Sequence, residues 1–109
     1  MPWLIRDGEV LATLEVVEAF PARVRGLLGR DGMDGALLLR PARSVHTIGM
    51  RFPIDVAFCD AELVVRSVAT MRPYRMGLPR PGARCVVEAR AGAFERWRLG
   101  PGDQLEIKG

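Results

Sequence analysis

The chain has 109 residues and a mass of 12.0 kDa, with 49% hydrophobic and 27% charged residues. These values are typical of one globular domain and exclude a disordered or collagen-like chain. Apolar runs span only a few residues, which excludes a membrane-spanning helix. No basic segment leads into an apolar one near the start, so no secretory signal is predicted. We therefore expect a single cytoplasmic domain over residues 1–109.

The charge is positive but shows no concentration along the sequence. The formal net charge is +3 and the isoelectric point is about 9.5, with fifteen Arg and one Lys among the sixteen basic residues. The arginines are spread along the chain and interleaved with acidic residues, whereas nucleic-acid binders more often concentrate them. Nucleic acid is therefore the less favoured partner at this stage.

Metal, cofactor and phosphate-loop chemistry have no support in the sequence. Cys59 and Cys85 stand apart, and His46 is the single histidine, so no zinc framework can be assembled. Glycine-rich phosphate loops and a nucleophile elbow are absent from the sequence. We expect no metal and no cofactor. We expect the two cysteines to be buried, reduced thiols, and a Cys59–Cys85 disulfide is the alternative.

The first third of the chain predicts a hairpin followed by a helix. Residues 2–6 and 9–16 flank Asp7-Gly8, a strong hairpin turn signal. The period then changes: Pro21 suits the first turn of a helix, and apolar residues follow at helical spacing. This pattern predicts a helix over about residues 20–29.

The remainder reads as short strands joined by turns. The long loop at 72–84 is rich in Pro, Gly and Arg, and a short second helix is predicted at about 93–98. Further strands are predicted at 36–40, 54–59, 63–71, 85–90 and 104–108. The sum is an α+β fold, mainly antiparallel β: a compact barrel-like sandwich of six or seven short strands with one clear N-terminal helix.

The segment 44–58 is the most unusual in the chain. It contains His46 and places Asp55 inside an apolar strand, where a carboxylate needs a donor or water. One interpretation makes His46 and Asp55 an acid–base pair at a pocket mouth. The other interpretation makes both structural, with hydrogen bonds that tie the connection to the sheet.

Other side chains are weaker candidates. Glu88 lies mid-strand and is a third carboxylate-bearing candidate beside Asp55, although a solvated strand face explains it as well. Phe94 and Trp97 are spaced to form the apolar side of the short helix or an aromatic ligand platform. The 72–84 loop offers a basic surface with one aromatic residue, through Arg72, Tyr74, Arg75, Arg80 and Arg84.

Several of these motifs together resemble a known family. They are the helix sequence from Arg23 to Arg30, the segment Ser-Val-His-Thr-Ile-Gly-Met-Arg-Phe-Pro-Ile-Asp-Val-Ala-Phe at 44–58, Val-Val-Glu-Ala-Arg-Ala-Gly at 86–92, and Gly-Pro-Gly-Asp-Gln-Leu at 100–105. The chain resembles the uncharacterised bacterial family called domain of unknown function 192, over about residues 10–108, in a His-Thr variant of its signature. The resemblance implies a compact β-rich fold with one N-terminal helix and implies no activity. The signature positions it matches are His46, Thr47, Met50, Asp55 and Glu88.

The sequence therefore predicts a small binding module for a protein or small-molecule ligand. Candidate binding residues are Thr47, Met50, Phe94, Trp97, Arg72, Tyr74 and Arg75. Two alternatives stay open. One is an enzyme that uses His46 and Asp55, and the other is a nucleic-acid binder that uses the 72–84 loop.

Overall fold

Across the residues that the structure describes, the fold consists of seven strands and one short helix. The structure is a computed structural model that describes residues 2–18, 32–47, 50–77 and 79–109. The elements in chain order are β1 (Trp3–Arg6), β2 (Glu9–Val17), β3 (Ala36–Leu39), β4 (Ile54–Cys59), β5 (Val65–Met71), β6 (Cys85–Arg90), α1 (Ala93–Trp97) and β7 (Leu105–Lys108).

All seven strands belong to one mixed sheet in the order β5-β4-β6-β3-β2-β1-β7. Neighbouring strands are antiparallel except β2 and β3, which run parallel. The two edge strands meet at one end, where Val65 donates its backbone N–H to the Asp103 carbonyl (2.9 Å) and Leu105 donates to Leu63 (3.0 Å). The sheet therefore curls until its first and last strands are hydrogen-bonded together.

Both faces of the central strands are covered. Strand β4 is buried at all six positions, because its alternate side chains enter two different apolar clusters. The inner core contains α1 and one face of the sheet, with Leu4, Leu14, Leu38, Ala57, Cys59, Val65, Cys85, Val87, Phe94 and Leu105 among its members. The outer core lies on the opposite face, with Val17, Leu37, Leu39, Val45, Met50, Phe52, Ile54, Val56, Phe58, Ala83 and Val86. The segments 40–53 and 72–84 contribute to this outer core.

The α+β class predicted from the sequence is wrong. Among the described residues the only helix is α1, five residues long, beside a seven-stranded mixed sheet. The helix predicted at about 20–29 lies outside the described residues. The sequence predicted a mainly antiparallel sheet and gave no sign that β2 and β3 would pair in parallel. Parallel strands need a long connection, and β2 and β3 are far enough apart in the sequence, at Glu9–Val17 and Ala36–Leu39, to allow one.

Other local predictions agree with the structure. The described residues form seven strands, where six or seven were predicted, and the short helix predicted at about 93–98 is α1. Asp7 and Gly8 both have positive φ, 50° and 77°, as the predicted hairpin turn requires. Within the described part of the chain, no helix is long and apolar enough to cross a membrane.

Candidate functional site

Asp55 is a buried anchor for the start of α1. Its carboxylate is only 4% exposed. Thr70 Oγ1 donates to Asp55 Oδ1 (2.8 Å), and the backbone N–H groups of Gly92 and Phe94 donate to Oδ2 (2.9 and 3.1 Å). The residue that precedes α1, Gly92, has no side chain with which to cap the helix, so Asp55 supplies the acceptor from β4. Three donors therefore meet the carboxylate that the sequence left unpaired.

The structure does not bring His46 and Asp55 together. His46 is exposed and pairs through a β-bridge with Met76, in a different part of the fold from the start of α1. No hydrogen bond joins its ring to Asp55 among the contacts between described residues. An acid–base pair made of these two side chains is therefore not assembled.

Thr47 joins the 44–47 connection to the 72–77 loop. It is fully buried, and its hydroxyl donates to the Arg72 carbonyl (2.5 Å) and accepts from the Arg75 backbone N–H (2.8 Å). The backbone N–H of Gly77 donates to the Val45 carbonyl (2.8 Å). Residues 45–47 and 74–77 thus form a short two-stranded unit, which we call the ribbon. The Thr47 hydroxyl contacts backbone groups of Arg72 and Arg75, so the side chains of these two arginines remain free to point outward.

Met50, Phe94 and Trp97 take packing roles. Met50 is 2% exposed in the outer core, and Phe94 is 6% exposed in the inner core. The Phe94 and Trp97 rings lie 5.7 Å apart at 34°. A cavity of about 580 Å³ is lined by Trp97, Arg90 and Arg96, and another of about 610 Å³ between β5 and α1 is lined by Asp55 and Phe94.

Glu88 is buried without a donor among the described residues. It lies between Leu37 on β3 and Val56 on β4, on the face of the sheet that carries the outer core, and is 5% exposed. Burial raises the pKa of the Glu88 carboxyl from about 4.5 to about 7. The carboxyl is therefore substantially protonated near neutral pH. Glu88 and Asp55 project from opposite faces of the sheet and do not form one site.

Two segments of the chain form an arginine-rich surface. The segments 40–53 and 72–84 contain no Asp or Glu and together carry seven arginines: Arg40, Arg43, Arg51, Arg72, Arg75, Arg80 and Arg84. These segments carry a formal charge of +7, which leaves the rest of the chain, with nine basic and thirteen acidic residues, at −4. We call this surface the arginine face; residues 48, 49 and 78 within it lie outside the described residues.

Backbone hydrogen bonds hold the two segments side by side. Arg80 donates its N–H to the Arg43 carbonyl (3.0 Å), and Ala42 donates to the Arg84 carbonyl (2.9 Å). The ribbon continues this contact. Both segments also cover the outer core, so the fold brings arginines that are distant in the sequence close to one another. Arg40 and Arg84 lie at the end of the sheet beside Cys85. The sequence argument that the arginines are dispersed therefore does not hold in the folded chain.

Most guanidinium groups on this face have no acidic partner. Arg40 lies 3.7 Å from Glu18, and the Arg80 guanidinium lies 4.6 Å from the centre of the Phe58 ring. In the described portion of the chain, no carboxylate comes within ion-pair distance of Arg43, Arg72, Arg75 or Arg84, and all four side chains are exposed. Arg75 and Arg84 each donate one Nη1 hydrogen bond to a backbone carbonyl, of Tyr74 and Ala83 respectively, and their other guanidinium donors can still bind an anion.

The ribbon adds exposed ring and apolar surface to this charge. Tyr74 is 65% exposed and Met76 is 68% exposed, more than any other large hydrophobic residue that the structure describes. His46 is also exposed on the same ribbon. Of the sequence candidates, the structure therefore brings together His46, Arg72, Tyr74 and Arg75.

Comparison with known proteins places the chain in a family. A family model for domain of unknown function 192, described as "Uncharacterized ACR", matches residues 3–107. The chain belongs to this family. A UPF0127 protein of Pyrococcus abyssi is 29% identical over 98 residues, which cover 85% of this chain and 84% of the relative. A UPF0127 protein of Pyrococcus furiosus is 28% identical over 106 residues, which cover 93% of this chain and 91% of the relative.

Two solved structures share the fold. A Sinorhizobium meliloti protein, described as a proposed transcription regulator, matches with a TM-score of 0.83 and 23% identity over 97% of this chain and 91% of its own. A Novosphingobium aromaticivorans protein of unknown function matches with a TM-score of 0.82 and 21% identity, and the match covers 96% of this chain and 82% of the other. The membership predicted from the signature motifs is thus confirmed, and the family brings no assigned activity.

Sequence reasoning missed the arginine face. A count along the chain averages over acidic residues that lie elsewhere in the fold. The useful signal was the absence of Asp and Glu from 40–53 and 72–84 taken together. The sequence left a Cys59–Cys85 disulfide as an alternative; strand register places the two residues directly opposite each other across β4 and β6, as free cysteines.

Proposed function

We propose that this protein is a binding module for single-stranded nucleic acid, and that the arginine face contacts the phosphates. The observation that carries the proposal is the separation of charge: +7 on two hydrogen-bonded segments and −4 on the rest of the chain. Phosphate contacts by Arg and Lys supply most of the affinity in sequence-independent binding. A molecule with a small net charge can thus present a strongly positive surface to a polyanion.

The chemistry of the exposed groups favours nucleic acid over a small ligand. Arginine guanidinium groups bind phosphate oxygens through two parallel hydrogen bonds. The Tyr74 ring, 65% exposed between Arg72 and Arg75, offers a surface on which one base can stack. Ring stacking needs an unpaired base, which is why the proposal specifies a single strand.

The frame beneath these side chains is fixed. Thr47 and Gly77 hold the ribbon through backbone hydrogen bonds, and Val45, Met50 and Phe52 attach it to the outer core. The arginines therefore project from an ordered backbone, which lowers the entropy cost of binding. The expected compartment is the cytoplasm, where nucleic acid is available and free thiols persist.

Fluorescence anisotropy with labelled DNA and RNA single strands of about 16 nucleotides tests the proposal. The four unpaired guanidinium groups predict a slope of log K against log salt of about −3, since each phosphate contact in a single strand contributes about −0.7. The double variant Arg72→Gln/Arg75→Gln should reduce the slope to about half of that value.

The matched control is Arg96→Gln/Lys108→Gln, which makes the same charge change outside the arginine face. Both control side chains are exposed. We expect its affinity and salt slope to stay close to those of the parent protein. The absence of binding at about 50 mM salt would contradict the proposal. An equal loss of affinity in both double variants would also contradict it, because the affinity would then depend only on net charge.

The contribution of Tyr74 is tested separately. Tyr74 has a φ of 61°, so Tyr74→Asn is a suitable substitution because Asn tolerates this backbone conformation. Loss of a stacked base predicts about 1–3 kcal/mol weaker binding to the single strand. A duplex of the same length that binds more tightly than the single strand would contradict the stacking role.

A further inference from the structure

Cys59 and Cys85 form a pair of neighbouring thiols across two strands. Strand register places them directly opposite each other on β4 and β6. Both side chains belong to the inner core, so they point to the same side of the sheet. Both are free cysteines and are 0% and 3% exposed. Side chains at such opposed positions have Cβ atoms about 4.5–5.5 Å apart.

The two thiols differ in their access to the surface. Cys85 lines a cavity of about 330 Å³ together with Arg40, Arg84 and Glu18. Cys59 is fully buried beneath it and does not line that cavity. A small solute in this cavity therefore meets Cys85, whereas Cys59 has no exposed surface.

Electrostatics support the same order. The contact with the Cys59 thiol and the nearby Arg40 charge lower the pKa of the Cys85 thiol. They outweigh burial and the Asp60 charge, which act in the opposite direction. The same thiol–thiol contact and burial raise the pKa of Cys59. Cys85 is thus the thiol that more readily forms a thiolate, and Cys59 retains its proton.

We propose that Cys59 and Cys85 are a reversible dithiol–disulfide site that reacts with hydrogen peroxide, with Cys85 as the attacking thiol and Cys59 as the resolving thiol. The geometry that carries the proposal is the opposed strand register together with the cavity over Cys85. Closing the bond requires the Cβ atoms to come within about 3.5–4.5 Å, which is a movement of roughly 1 Å.

The reaction balances with one molecule of peroxide. The Cys85 thiolate attacks one peroxide oxygen, the O–O bond breaks, and the other oxygen leaves as hydroxide and takes a proton to form water. Cys85 is then a sulfenic acid. The Cys59 sulfur attacks the Cys85 sulfur, the S–O bond breaks, and the hydroxyl leaves with the Cys59 proton as a second water. Two thiols lose two electrons to peroxide, and a dithiol reductant restores them.

Intact-mass measurement on the folded protein tests the proposal. The reduced chain is exposed to peroxide near pH 7, and remaining thiols are then alkylated in urea. We expect the mass to fall by two hydrogen atoms, with no alkylation and with full recovery after dithiothreitol. The urea-unfolded chain, treated with the same peroxide, is the control for oxidation. The proposal is overturned if peroxide oxidises the unfolded chain while both thiols of the folded protein can still be alkylated. It is also overturned if the product is a disulfide-linked dimer.

Two variants assign the roles. In Cys59→Ala, Cys85 should stop at the sulfenic acid and be trapped by dimedone, whereas Cys85→Ala should give no dimedone adduct under the same conditions. Faster trapping at Cys59 than at Cys85 would overturn the assignment. Urea unfolding of each variant shows whether it is folded, and the measurement on the parent protein decides the proposal if either variant is not.

Discussion

Replacing Glu88 by Gln should make stability less dependent on pH. The carboxyl is 5% exposed between Leu37 and Val56, and burial raises its pKa from about 4.5 to about 7. Between these values the folded state holds a proton that the unfolded state has lost. The free energy of unfolding therefore falls as the pH rises through this window, and it levels off above about pH 7. The difference between the two pKa values corresponds to about 3 kcal/mol.

Urea unfolding of the parent and of Glu88→Gln, from about pH 5 to about pH 8.5, measures this effect. Glutamine has nearly the same shape and no titrating proton. Relative to the parent, Glu88→Gln should gain about 2.5 kcal/mol of stability between the two ends of the range, because part of the full difference is already lost at pH 5. The exposed Glu106→Gln variant is the matched control and should follow the pH dependence of the parent. A constant difference between parent and Glu88→Gln at every pH would refute the reasoning.

Three other substitutions test the frame of the fold by urea unfolding. Asp55→Ala leaves three donors unpaired and should cost about 2–4 kcal/mol, so a variant as stable as the parent contradicts the capping role. Thr47→Val should cost about 1–3 kcal/mol and weaken oligonucleotide binding; unchanged stability contradicts its role in the ribbon. Gly35→Ala puts a Cβ 2.7 Å from the Thr13 carbonyl oxygen and should cost more than Gly8→Ala, which has a similar φ and open space. Equal losses in the two glycine variants would contradict this contact.

Local features of the fold were predictable from the sequence because they depend on neighbouring residues. The Asp7-Gly8 turn and the alternation along β4 follow from backbone preference and the two-residue strand period. The parallel β2–β3 pair was not predictable, because only long-range contacts decide which strands become neighbours. The class assigned to the fold is wrong for a different reason: among the described residues, only the five-residue α1 accompanies the seven-stranded sheet.

The site was predictable only in part. An unpaired carboxylate in an apolar strand indicated that Asp55 needs donors, and the structure supplies them from α1 and β5. The sequence left His46 open as a partner for Asp55, because the nine residues between them permit such a contact but do not require it. Only the fold shows that His46 belongs to the ribbon and faces solvent. Likewise, the clustering of the arginines depends on backbone hydrogen bonds between distant segments.

The central claim is that the arginine face binds single-stranded nucleic acid, and amide chemical-shift mapping tests it most directly. The measurement is a titration of ¹⁵N-labelled protein with an unlabelled single strand of about 16 nucleotides at low salt. The account predicts that the largest shifts fall within residues 40–47, 50–53 and 72–84, including the ribbon amides of Thr47 and Gly77. Shifts concentrated instead at the cavity lined by Asp55 and Phe94, or spread evenly over the surface, would contradict it.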